Sequence, residues 1–339
     1  MLRRLRKYGG GARGVVTLMT SSAPLVIVGG LLYAGLFVKA EAVVQKVEPP
    51  AIERRDSFYG VAAPDERTVW AVGAGGKIVR SEDGGHSWTR QPSGIDANLQ
   101  GIAAWDAQDA VAVGNDGIVL VTHDAGASWT RAEVPSSGNP NKFFRVRLAN
   151  GAAWAVGEYG ALLRSDDRGA TWKRVLPEED RAWNDVAFVG DAGWVVGEFG
   201  ALMKSADGGA TWQAVEMANK VSLMSVAFRD ADNGVAVGLA GTLLVTSDGG
   251  ASWQQVPALT REHLYSVVWD DGRWLAVGDK GVMASADAGA AQWQLGRVAE
   301  GDVSWRTQVA RAGSRYFLAG SNLAVLDDGA LSVAGHKRM

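Results

Sequence analysis

The chain has 339 residues, with 34 Lys and Arg against 37 Asp and Glu for a formal net charge of −3. That balance excludes a strongly basic nucleic-acid binder, and 47% apolar with 21% charged residues excludes a disordered chain. The absence of cysteine excludes a disulfide framework, a thiolate metal centre and a cysteine nucleophile, while 44 Gly and 14 Trp suit tight turns between aromatic-rich strands.

Residues 1–14 form a basic tail carrying Arg3, Arg4, Arg6, Lys7 and Arg13 and no acid. Gly14 to Val38 then holds no charge in 25 positions. At about 1.5 Å per residue a helix of that length crosses a hydrocarbon core of about 30 Å. The pattern predicts a transmembrane anchor over 15–38, with the basic tail in the cytoplasm and a net-acidic body in the periplasm. Ala40-Glu41-Ala42 and the Arg3-Arg4 pair leave a cleaved signal peptide open as the alternative. Both readings place the body outside the cytoplasmic membrane. Residues 39–56 read as a linker, since Pro49-Pro50 and the charges from Glu53 to Asp56 do not continue a helix.

The body, 57–335, is one unit repeated. Six segments share one turn: Ser81-Glu82-Asp83-Gly84-Gly85-His86-Ser87-Trp88, then those ending at Trp129, Trp172, Trp212, Trp253 and Trp293. Each follows Val-Gly-x-x-Gly, whose second glycine lies 12 residues before the Trp. Seven similar openings precede these, from Phe58-Tyr59-Gly60-Val61 to Trp305-Arg306-Thr307-Gln308; the seventh unit keeps Ala319-Gly320 but loses the terminal Trp. Four short apolar runs per unit, repeated about every 41 residues, predict an all-β, seven-bladed β-propeller of four-stranded blades behind one N-terminal transmembrane helix.

Ser/Thr-x-Asp-x-Gly-x-x-Trp is the Asp-box, or bacterial neuraminidase repeat. Its carboxylates, Asp83, Asp124, Asp167, Asp207, Asp248 and Asp287, are expected to brace turns at the blade periphery. One or two carboxylates per turn fall short of the six to eight oxygens calcium takes. The sequence therefore implies no metal and no cofactor. A glycosidase needs two carboxylates about 5–9 Å apart at a central pocket. The axial positions offer few acids, namely Asp185, Glu158 and Glu198, so a carbohydrate-active propeller is the alternative rather than the first reading. The expected site is a partner-docking face where Phe143, Phe144, Tyr159, Trp183 and Phe199 accompany Arg145, Arg147 and Arg174, because aromatic residues beside arginine make interface hot spots. Arg145 and Asp185 occupy the same position on adjacent innermost strands and are expected to pair near the axis.

The repeated Val-Gly-x-x-Gly and Ser-x-Asp-Gly-Gly-x-x-Trp resemble the photosystem II stability and assembly factor family of Asp-box propellers. The resemblance spans roughly residues 57 to 333. It implies a non-catalytic scaffold that binds an integral membrane protein or membrane complex, as an assembly factor or as an accessory subunit of a transporter.

Overall fold

In the computed structural model the described residues are 25–33, 35–36, 49–135, 138, 140–218, 220–270 and 272–335. The chain divides into two units, Met1–Pro49 and Pro50–Met339. In the first, residues 25–33 and 35–36 are helical with exposed side chains. Among the described residues no helix is long and apolar enough to cross a membrane. The rest of the span predicted over 15–38, and the tail before it, lie outside the described residues.

The second unit contains seven four-stranded antiparallel sheets, each a simple meander. Blade 3 shows the pattern, with strands Phe143–Ala149, Ala152–Gly157, Leu162–Ser165 and Lys173–Arg174. The second strands are buried on both faces, because each is covered by the neighbouring blade on either side. Their sequences are accordingly apolar throughout (Val-Trp-Ala-Val-Gly, Ala-Val-Ala-Val-Gly) rather than alternating. The outermost strands of blades 1 to 5 are only two or three residues long and mostly polar, as at Thr130–Arg131 and Gln254–Gln255, which blunts those edges against strand pairing with other chains.

Innermost strands run Phe58–Ala62, Leu99–Ala104, Phe143–Ala149, Trp183–Val189, Leu223–Phe228, Leu264–Trp269 and Arg306–Ala312. Register fixes their equivalence. Arg306, not Trp305, pairs with Gly320 as Phe58 pairs with Gly73, so the seventh opening is Arg306-Thr307-Gln308-Val309. Trp305 lies just before the strand and stacks on Tyr59 at 5.8 Å. Every innermost strand carries a bulge between its first and third positions.

The third-position side chains join neighbouring blades. Asp185 accepts the N–H of Val226, Ser225 that of Val267, and Gln308 that of Val61. The Gln308 contact closes the ring, helped by Thr307 donating to the Tyr59 carbonyl. Among the described residues blade 7 is four consecutive strands from Arg306 to Val333, with none exchanged from the N-terminal side. Residues read as the end of the linker assist here: Ile52 is buried in one core cluster with Phe58, Phe317 and Ala334.

The Asp-boxes are built alike. In blade 4, Ser205 Oγ donates to Asp207 Oδ1 and accepts the Gly209 N–H, while Thr211 donates its N–H to Oδ1 and its hydroxyl to Oδ2. Trp212 Nε1 donates to the Gly209 carbonyl. The sixth box differs: Asp287 accepts the Gly289 N–H, and Trp293 donates to the Ala290 carbonyl. Hydrogen bonds from Ser128, Thr211 and Ser252 hold Asp124, Asp207 and Asp248 down to about 2. A carboxylate whose folded value lies below its unfolded value stabilises the fold above the unfolded value, near 4, and loses that contribution as pH falls through the folded one. The melting temperature should therefore drop between pH 5 and pH 2. Asp207→Asn should melt lower at pH 7 and show a shallower acid drop, and an unchanged acid profile would remove the boxes from this role.

Candidate functional site

The channel along the propeller axis has two mouths that share no lining residue. At the upper mouth, where the Gly-x-x-Gly turns lie, the bulge turns every second-position side chain inward. Tyr59, Gln100, Phe144, Asn184, Met224, Tyr265 and Thr307 ring a cavity of about 370 Å³. The lower mouth opens into about 590 Å³ lined by Arg147, Trp269, Asp270, Gln308 and Arg311 among others.

Arg145 separates the two. Its guanidinium crosses the axis from blade 3 to reach the carbonyls of Tyr265 (3.4 Å) and Thr307 (3.3 Å) in blades 6 and 7. Asp185 sits beneath it, fully buried. Arg147 binds that carboxylate through Nε and Nη2, both at 3.0 Å, and the Ser225 hydroxyl adds a bond of 2.7 Å. Arg145 Nε stays 3.7 Å away. Burial opposes ionisation of Asp185, but the charges of Arg147 and Arg145 outweigh it and hold the carboxyl below its usual range. Burial lowers Arg145 to about 10; Asp185 counters this and Arg147 adds to it, and the residue remains a cation at neutral pH. Two guanidiniums thus face one carboxylate, leaving one positive charge at the axis. Burial, aided by the neighbouring Asp279, pushes the Tyr265 hydroxyl up to about 12, so it stays a neutral rim group.

The predicted docking residues divide accordingly. Phe144 and Arg145 line the upper cavity, and Tyr159 and Phe199 stand in the turns around that mouth. Arg174 donates to the carbonyls of Leu176 and Tyr159 and so supports the Tyr159 turn. Arg147 belongs to the opposite mouth, because its fifth-position side chain points down the channel onto Asp185. Phe143, Trp183 and Asp185 are fully buried and offer a partner no surface: the first two pack between blades, and the third joins blades 4 and 5. The expected Arg145–Asp185 pairing is therefore only a 3.7 Å approach, with Arg147 as the main partner.

The upper rim has two features of a binding face. Tyr159 (φ 55°) and Phe199 (φ 56°) hold left-handed backbone, uncommon for bulky side chains. Phe199 is also 72% exposed. Lys142 covers the half-buried Phe144 ring at 5.2 Å, and Arg181 lies 5.7 Å from the ring of Trp183, which stays fully buried. Sequence reasoning missed Tyr59, Gln100, Asn184, Met224, Tyr265 and Thr307. Their signal was the second residue of each opening, read as a column rather than as separate strands.

The family model for the photosynthesis system II assembly factor YCF48 matches residues 94–180 and 211–300. The chain belongs to this family. A curated relative, the chloroplastic photosystem II stability/assembly factor HCF136 of Cyanidioschyzon merolae, is 39% identical over 71 residues, which is 19% of this chain and 16% of the relative. The match thus spans about a sixth of that relative's length. Two solved YCF48 structures share the architecture at 17% identity. One is described as YCF48 bound to a D1 peptide (TM-score 0.65, 78% of this chain and 91% of that one). The other is YCF48 from Cyanidioschyzon merolae (TM-score 0.63, 80% and 94%). A GH74 xyloglucanase from Xanthomonas campestris is similar over 82% of this chain and 53% of its own (TM-score 0.64, 18% identity). At these identities the solved structures speak for the fold alone.

Proposed function

We propose that this YCF48-family propeller is a non-catalytic, extracytoplasmic binding module that holds a segment of a membrane-protein partner on its upper mouth, in the assembly or stabilisation of a membrane complex. The observation that carries this is the left-handed aromatic rim, exposed Phe199 and half-buried Tyr159, around a cavity closed by the Arg145 guanidinium. The names of its relatives agree with the reading: HCF136 is a stability and assembly factor, and one YCF48 is described in complex with a D1 peptide. Binding is favoured over glycoside hydrolysis because, among the described residues lining them, each mouth has a single carboxylate. These are Glu198 above, with Oε2 bound to the Ala182 N–H, and Asp270 below, held by Tyr316 and Arg273. The charge-free stretch 15–38 behind a basic tail supports a tether in the inner membrane. An accessory role beside a transporter would use the same face.

The rim can be tested without disturbing the fold. Tyr159→Gly with Phe199→Gly removes both rings and relieves the left-handed backbone, so the melting temperature should hold or rise. Co-purification of the membrane partner from detergent-solubilised membranes should be lost. Recovery of the same partner at the same yield would move the docking site elsewhere. Carbonate extraction checks the tether: a soluble periplasmic form beginning near Val43 would replace the anchor with a cleaved signal.

A further inference from the structure

We propose that the cavity at the upper mouth is a receptor for one carboxylate group carried on an apolar body, with Arg145 as the residue that binds it. Arg145 is 8% exposed, and its Nη1, itself buried, has no hydrogen-bond partner among the described residues. Its two Nη2 contacts are long, at 3.3 and 3.4 Å, and go to neutral carbonyls. Asp185 cannot complete it. That carboxylate already receives two bonds from Arg147, one from Ser225 and the N–H groups of Val186 and Val226. A buried cation without an equivalent counter-charge is costly, and a guanidinium gains most from a carboxylate approaching its fork.

The walls define the rest of the ligand. Tyr59, Phe144, Met224, Leu239 and Tyr265 offer rings and aliphatic surface, with Gln100, Asn184 and Ser222 as neutral polar groups between them. Glu198 is the single acid of the lining, and one of its oxygens is engaged by Ala182. A volume of about 370 Å³ closed below by Arg145 suits a small acid or the last residue or two of a chain, not a folded domain. A small organic acid and a polypeptide C-terminus share this chemistry, since both present one carboxylate on an apolar body.

The inference rests on the upper mouth being the binding face, but small probes test it separately, so a cavity that takes no acid leaves protein docking on the rim untouched. Calorimetric titration with 4-phenylbutyrate and its neutral amide should show binding of the acid only. Arg145→Met should weaken the acid by about tenfold or more, because a charge-assisted fork is lost. This variant should fold, since removing Arg145 leaves Arg147 and Asp185 as a balanced pair. Phe144→Ala keeps the charge and removes one wall, so it should weaken the acid by a smaller factor. A short peptide ending in Leu-Phe, free and amidated, separates the sources. Binding of the free form only points to a chain terminus, and binding of phenylbutyrate without the peptide points to a small acid. Equal binding of acid and amide, no binding of any probe, or full affinity in Arg145→Met would overturn the proposal.

Discussion

Asp185→Ala should be the most damaging single substitution in the propeller, lowering stability by about 3–5 kcal/mol, the usual consequence of removing one partner from a buried ion pair. Three losses coincide. Arg147 loses both hydrogen bonds of its fork, Arg145 loses the one negative charge near it, and Ser225 and the Val226 N–H lose their acceptor. The buried Arg145 guanidinium and the half-buried Arg147 guanidinium would then face each other with no carboxylate between them. Neutralising the cation as well should recover much of the loss, so Asp185→Leu with Arg147→Met should melt well above Asp185→Ala. Thermal unfolding of the three proteins at pH 7 measures this. A single variant melting within about 1 °C of the parent would show that the network does not hold the axis together.

The repeated turns were legible in the sequence because their geometry is local. Ser205, Asp207, Gly209 and Thr211 meet within seven residues, so the motif and the structure carry the same information. The axis is different. Reading Arg145 and Asp185 as equivalent positions was sufficient to bring them near each other. It could not say that Arg147 would take the carboxylate, because strand alternation is interrupted by the bulge after Phe143. The same interruption sends Phe144 into the upper mouth, whereas Arg147 goes to the lower one, dividing residues that looked like one patch. Burial of Phe143 and Trp183 was hidden for a related reason: an aromatic opening a strand reads the same whether it faces a partner or the next blade. In the seventh unit, loss of the second glycine and of the terminal Trp removed the marks that fix register, and Trp305 was read where Arg306 stands.

Two neighbouring glycines in one Asp-box should respond very differently to the same added methyl group. Both have left-handed backbone, Gly208 at φ 67° and Gly209 at φ 84°. An alanine at either therefore carries about 1–2 kcal/mol of backbone strain. At Gly208 the new Cβ would meet only Asp191 Oδ1 at 3.5 Å, an ordinary contact. At Gly209 it would lie 2.3 Å from Trp154 Cη2 and 2.9 Å from Cζ2. Trp154 comes from blade 3, is 2% exposed and packs against Phe188 (4.7 Å) and Trp212 (6.2 Å), so it has no space to withdraw. Overpacking of this kind adds about 1–3 kcal/mol. Gly209→Ala should thus destabilise by about 2–5 kcal/mol, and Gly208→Ala by no more than the strain. The same arrangement recurs where Gly85 faces Phe317 at 2.5 Å and Gly250 faces Trp194 at 2.8 Å, in each case an aromatic of the preceding blade. The Asp-box is on this account a clamp between blades as well as a turn within one. Trp154→Leu should discriminate: by emptying space under Gly209 it should reduce the cost of Gly209→Ala and leave that of Gly208→Ala unchanged. Equal costs for the two alanines in the parent protein would confine the box to its own turn.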